Sequence, residues 1–138
     1  MNCTAAGIII YRNISGKDEI LGLEALQKFQ NRSNGIYDIP KGRLDSGETP
    51  IQCAVRECWE EASLNRYNII AGPYIDGHMS VWLAKTEQIP IIASNPETGH
   101  VEHTDYKWLS IDEILENCLD YLKPSLAWAK DVLCQHRS

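Results

Sequence analysis

Apolar runs and their polar punctuation divide this chain into strands first, a short helix, more strands and then helices. Thr4 to Tyr11, TAAGIIIY, reads as a strand. Its Ile8-Ile9-Ile10 run is β-branched and does not alternate with polar residues, which fits burial on both faces. Arg12 to Glu19 is a polar turn containing Gly16, and Ile20 to Leu26 is a second apolar segment. Propensity alone would allow a helix there. Its length and its place between turn-rich stretches favour a strand, paired with the first as a hairpin. Gln27 to Gly35 is polar and Asn-rich, hence a surface loop. Ile36 to Pro40 is a short extended piece, because Pro40 disfavours helix at Ile39.

Thr49 begins a helix. It is a good N-cap, Gln52 completes a capping box, and Pro50 suits the first helical position. Ile51, Val55, Cys58 and Ala62 recur at helical spacing as its expected buried stripe. Beyond it, Asn65 to Asn68 is a polar turn, Ile69-Ile70 is short and apolar, and Gly72-Pro73 breaks the chain. Ser80 to Ala84 is a strand, Ile89 to Ala93 is another apolar run, and Asp105 to Leu109 is a strand. Ser110 caps a helix with Glu113 as its box partner; Ile111, Ile114, Leu115 and Cys118 keep its period. A last helix is expected from about Ser125 to Cys134, after Pro124. This order predicts an α+β fold, an α/β/α sandwich with a mixed central sheet. It lacks the βαβ alternation and GxGxxG of a doubly wound dinucleotide fold, and it has no Walker A pattern.

Composition narrows the class. At 138 residues the chain is expected to be one domain, 1–138. A formal net charge of -6 argues against a broad nucleic-acid surface but allows a small polyphosphate site, where metal supplies the positive charge. The cysteines, Cys3, Cys53, Cys58, Cys118 and Cys134, are odd in number and match no zinc spacing, which suggests a reducing cytoplasm. No signal peptide and no run near the roughly 18 apolar residues of a membrane span is evident.

The chemistry concentrates between Gly42 and Leu64. Glu57 and Glu61 are four apart and share a helix face, with Glu60 beside them. Carboxylates this close repel one another. One reading is a solvated acidic face. The other is a divalent-cation site, since magnesium and manganese prefer clustered carboxylate oxygens. Lys41 and Arg43 at the rim of the preceding turn favour a phosphate site with metal. Gly42 would serve either an unusual φ or a close approach to the backbone.

These residues carry a resemblance. Gly42, five residues, Glu48, seven residues, then Arg56-Glu57-Cys58-Trp59-Glu60-Glu61-Ala62-Ser63-Leu64 closely resembles the Nudix box. The one departure is Ser63, where the family usually has glycine at the helix end; serine holds a left-handed cap at some cost. The resemblance implies a metal-dependent pyrophosphohydrolase that directs water at a phosphorus of a pyrophosphate bridge. By the same resemblance Glu57, Glu60 and Glu61 hold magnesium or manganese, with the Gly42 carbonyl and Glu48 as further ligands. Arg56 orients the box glutamates or, alternatively, contacts phosphate. The general base is Glu57, or a carboxylate from a later loop; Glu102 is the first candidate, also completing the metal set, with His103 and Glu97 as others.

Around the box, Tyr37-Asp38-Ile39-Pro40-Lys41-Gly42 and Glu102 to Leu109 resemble segments of the asymmetrical diadenosine tetraphosphate hydrolases. Lys41, helped by Arg43, would then bind phosphate. Tyr37, Tyr74, His78, Trp82 and Tyr121 supply candidates for an adenine slot, with Trp82 also a natural core residue. The implied partner is a dinucleoside polyphosphate, such as diadenosine tetraphosphate cleaved to ATP and AMP. The alternatives are an RNA 5′ end or cap, or a modified nucleoside triphosphate. No extended nucleic acid and no membrane is expected, and the protein would be a monomer or small homo-oligomer.

Overall fold

Ile8, Ile9 and Ile10 are fully buried, as their uninterrupted run requires, because the first strand lies inside a mixed sheet with helices over both faces. The structure is a computed structural model and describes residues 3–27, 32–92 and 103–136. In chain order the elements are β1 (Ala5–Ile14), β2 (Lys17–Gln27), β3 (Arg32–Asp38), β4 (Lys41–Arg43), α1 (Pro50–Ala62), β5 (Tyr67–Asp76), β6 (Met79–Thr86), β7 (His103–Leu109), α2 (Ile111–Glu116) and α3 (Lys123–His136). A short 3₁₀ turn, Asp120–Leu122, leads into α3.

The main sheet path runs β3-β2-β1-β6-β5, with β4 paired to β1 and β7 to β2. β1 and β2 form the expected antiparallel hairpin, Tyr11 opposite Ile20 and Ile14 opposite Lys17. β1 runs parallel to β6. Alternate β1 residues then serve two cores. Ile8 and Ile10 pack with Cys53, Ala54, Cys58 and Ala62 of α1. Ile9 packs with Val81 and Leu83 against Ile114, Leu126, Ala129 and Leu133 from the α2–α3 side. The result is the α/β/α sandwich with a mixed sheet. Each fully buried isoleucine contributes about 2 kcal/mol of hydrophobic burial, which anchors β1 between the layers.

Several local expectations are corrected. Gly72-Pro73 does not end a strand: β5 runs through it, absorbing the disturbance as a register shift between Ala71 and Tyr74. β5 lies at the end of the main path, where a missing proline N–H breaks no ladder bond on the open side. Ile89 to Ile92 forms no strand, and Ile89 and Ile91 are exposed, while the Ile91 N–H donates to the Ala62 carbonyl at 2.9 Å and Ile92 packs against the α1-side core. The polar stretch before Tyr37 is already strand from Arg32 onward. Cys118 lies beyond α2, where it bridges Tyr37. Val55 is exposed and Ile51 only half-buried, so the buried face of α1 is Cys53, Ala54, Cys58, Glu61 and Ala62. The helix is rotated so that small side chains, and one glutamate, face the sheet.

Candidate active site

Both ends of α1 are held by local chemistry. The Gln52 N–H donates to the Thr49 hydroxyl and the Thr49 N–H donates to the Gln52 side chain, the full capping box. At the other end Ser63 adopts φ 56° and ψ 34°, the left-handed conformation that glycine holds without strain, and its N–H donates to the Trp59 carbonyl. The departure at Ser63 therefore leaves the helix end in place.

β4 lies alongside the acidic face of α1. It pairs with β1, Gly42 opposite Ala6 and Lys41 opposite Gly7. A side chain on Gly7 would collide with the Cβ of Lys41, and a Cβ on Gly42 would overlap the carboxylate of Glu57. Gly42 is thus required for close approach rather than for its φ. The Lys41 N–H donates to Glu61 Oε1 at 3.2 Å, and the Cys53 thiol donates to the Gly42 carbonyl at 3.4 Å.

Arg56 stands among the acids. Its Nε donates to Glu48 Oε2 at 2.8 Å and its Nη2 to Glu48 Oε1 at 3.0 Å, a bidentate fork. Its Nη1 donates to Glu57 Oε1 at 2.7 Å and to Glu60 Oε2 at 3.2 Å, and Nη2 reaches the Arg43 carbonyl at 2.9 Å. One guanidinium thereby holds three glutamates and the backbone of β4. These bonds, Arg56 first, bring the Glu48 carboxyl down to about 2. Bonds from the acids raise Arg56 further above its ordinary value.

Glu61 differs from its neighbours. It is buried, and burial, reinforced by the charge of Asp38, raises its carboxyl to about 9. Burial acts to lower Lys41, but Asp38 and Tyr121 outweigh it and hold the ammonium above its usual value. The Lys41 Nζ lies 3.1 Å from Asp38 Oδ2 and 5.4 Å from the centre of the Tyr121 ring.

The structure therefore gathers Lys41, Gly42, Arg43, Glu48, Arg56, Glu57, Glu60 and Glu61 around the start of β4. It disposes of the proposed aromatic slot differently. Tyr37 is buried in the core, against Gly22, and is closed to a base. Tyr74 is half-buried and stacked on Trp128, ring centres 5.4 Å apart. His78 is exposed in the β5–β6 turn, where its carbonyl accepts from Thr4 and Ala5. Trp82 packs beside the α1-side core, and Tyr121 is half-exposed beside Lys41. Glu97 and Glu102 lie outside the described residues, and His103 opens β7 opposite Ala25. Asp38 is a functional group whose one signal in the sequence is an acid in the otherwise apolar IYDIP, three residues before Lys41.

Two cavities, of about 630 and 480 Å³, lie elsewhere, toward the Thr86 end of β6, whereas Gly42 is near its Met79 end. Among the described residues no three His, Cys, Asp or Glu side chains converge as a closed metal shell. Arg56 draws Glu57 and Glu60 to itself. The donor set nevertheless suits a hard divalent cation in kind: carboxylate oxygens, a buried glutamate short of positive charge, and a glycine that admits Glu57 to the backbone.

A family model described as the NUDIX domain matches residues 1–131. The chain belongs to the Nudix family. Nudix hydrolases cleave acid anhydrides in small nucleotide substrates and generally use divalent cations. The chain is 31% identical over 127 residues to the asymmetrical bis(5′-nucleosyl)-tetraphosphatase of Sus scrofa, covering 82% of each chain. It is 29% identical over 127 residues to the Caenorhabditis elegans protein of the same name, covering 81% of this chain and 82% of that one. The C. elegans Ap4A hydrolase in a binary complex superposes with a TM-score of 0.73 at 25% identity, over 95% of this chain and 97% of that one. A Nudix hydrolase of M. smegmatis shares the fold, with a TM-score of 0.72 at 18% identity, over 97% and 87% of the two chains. No described helix of this Nudix protein is long and apolar enough to cross a membrane.

Proposed function

We propose that this protein hydrolyses a dinucleoside polyphosphate, such as diadenosine tetraphosphate to ATP and AMP, by attack of water on phosphorus. The observation that carries the reading is the glutamate cluster organised by Arg56 with the Lys41 ammonium at its edge, in a chain similar to two asymmetrical tetraphosphatases. A tetraphosphate chain needs dispersed positive charge, and this site offers hard oxygens for cations next to one lysine that stays protonated.

Glu57, Glu60 and Glu61, with the Gly42 carbonyl and Glu48, would hold magnesium or manganese. When bound, such a cation neutralises phosphate oxygens and eases deprotonation of water. The chain's own residues do the rest. Arg56 keeps Glu48, Glu57 and Glu60 turned toward β4. Glu57, pressed against Gly42, is the candidate general base among the described residues. Lys41 binds a phosphate oxygen, and Arg43, exposed at the edge of β4, assists. Tyr121, beside Lys41, is the best placed of the aromatic candidates to meet a base next to the phosphate chain.

The test is a side-by-side hydrolysis screen with magnesium over dinucleoside polyphosphates, nucleoside triphosphates and 5′-triphosphate or capped RNA. Diadenosine tetraphosphate turned over to ATP and AMP is the expected result. Its inertness beside turnover of an RNA end or a nucleoside triphosphate would transfer the assignment to that substrate. Glu57→Gln should lower kcat by roughly a thousandfold or more with folding unchanged; near-normal turnover would remove Glu57 from its role.

A further inference from the structure

We infer that Asp38 is a positioning residue, which holds the Lys41 ammonium where it meets phosphate and keeps it off the glutamates of α1. The inference rests on the reading of Lys41 as a phosphate-binding residue.

Asp38 closes β3 and is only 6% exposed, with Ile39 beside it fully buried. Taking a carboxylate out of water is unfavourable unless it is bonded, so a segment serving only the core would carry an apolar side chain here. The two oxygens of Asp38 have separate partners. Oδ1 accepts the Ile39 N–H at 2.8 Å, and Oδ2 accepts the Lys41 ammonium at 3.1 Å. The first bond fixes the carboxylate; the second uses it to fix the lysine.

Lys41 is held at both ends by different acids. Its backbone N–H is bonded to Glu61, and its Nζ is bonded to Asp38 and lies over the Tyr121 ring. A lysine stem is long and flexible, and its ammonium is a compact charge. Released from Asp38, that ammonium is free to turn toward the acids of α1, of which Glu61 already bonds the backbone N–H of the same residue. It would pair with acids needed for cations and leave the phosphate unmet. Bonded to Asp38, the ammonium still has donors for a phosphate oxygen, because it carries three.

Positioning and bulk electrostatics predict opposite signs. Removing a negative charge beside an anion site should, by charge alone, tighten anion binding. Loss of positioning should weaken it. The experiment compares wild type, Asp38→Asn, Lys41→Met and the double variant, with inorganic tripolyphosphate and magnesium in a calorimeter. Asp38→Asn keeps the acceptor for Ile39 and removes the charge. It should weaken tripolyphosphate roughly tenfold and raise KM similarly, with kcat within about threefold. In the Lys41→Met background the same change should alter affinity by less than about twofold.

Tighter or unchanged binding by Asp38→Asn would overturn the inference. So would an equal effect with and without Lys41, or equal affinity of wild type and Lys41→Met. Should Asp38→Asn fail to fold, Asp38→Glu replaces it: a smaller weakening, again abolished by Lys41→Met, is expected, and a weakening that persists without Lys41 refutes the idea. Tripolyphosphate affinity is read without turnover. A wild type that binds it normally but hydrolyses no nucleotide would therefore sink the proposed function alone.

Discussion

Removing Arg56 should damage stability first and activity as a consequence. Its guanidinium bonds Glu48 twice, Glu57 and Glu60 once each, and the Arg43 carbonyl. A hydrogen bond to a charged group contributes about 1.5–3 kcal/mol, but such bonds are not additive. The Arg56 side chain is 24% exposed, so solvent screens part of each interaction. Arg56→Met also leaves Glu48, Glu57 and Glu60 facing one another without a cation. Discounted for that screening, the combined cost is about 2 kcal/mol, between an exposed and a buried charge pair. For a chain of 138 residues this corresponds to a fall in Tm of roughly 6 °C. Chemical denaturation and thermal unfolding in chelator measure it directly. Arg56→Lys keeps the charge but loses the fork, and should fall about halfway. The decisive sign comes from Glu57→Gln, which should stabilise the Arg56→Met protein by relieving repulsion and should not stabilise wild type. Arg56→Met within about 0.5 kcal/mol of wild type would refute the network's role. So would an equal effect of Glu57→Gln in both backgrounds.

Ser63→Gly should stabilise the protein by about 1 kcal/mol, because Ser63 holds a left-handed φ of 56° without glycine's freedom; a lower Tm would show that the cap is not strained. Gly42→Ala should reduce turnover at least about a hundredfold, since the new methyl overlaps the Glu57 carboxylate, and retained turnover would place Glu57 outside the chemistry. In chelator-treated protein, Glu61 keeps its proton up to about pH 9 when folded, while the unfolded chain loses it in the ordinary carboxylate range. Stability should therefore fall as pH rises between those values. Glu61→Gln should remove that fall, and parallel Tm–pH curves for the two proteins would contradict the assignment. Glu48 has the opposite sign: its folded carboxyl near 2 favours the native state at neutral pH and loses that effect as pH drops through the acid range.

Local rules settled much of this molecule in advance. The Ile8-Ile9-Ile10 run needed two covered faces and has them. Thr49 with Gln52, and Ser110 with Glu113, form capping boxes whose partners are three residues apart, so the sequence alone contains the whole motif. The spacing of Glu57, Glu60 and Glu61 placed them on neighbouring positions of one helix before any packing was known, and the box between Gly42 and Leu64 named the family. Tertiary structure decided what those residues touch. Helical period suggested Val55 as core, but the rotation of α1 on the sheet turned Glu61 inward and Val55 outward. Tyr37 looked available for a base; the pairing of β3 with β2 and its bridge to Cys118 buried it. Gly42 carries no sign of its partner, because the collision it avoids is with a side chain fifteen positions on. Asp38 is only an acid in an apolar segment until β4 brings Lys41 back over it and α1 supplies Glu61 below. Short-range hydrogen bonding and periodicity are written along the chain. The charge environment of a buried carboxylate depends on segments that meet only after the sheet and α1 have packed.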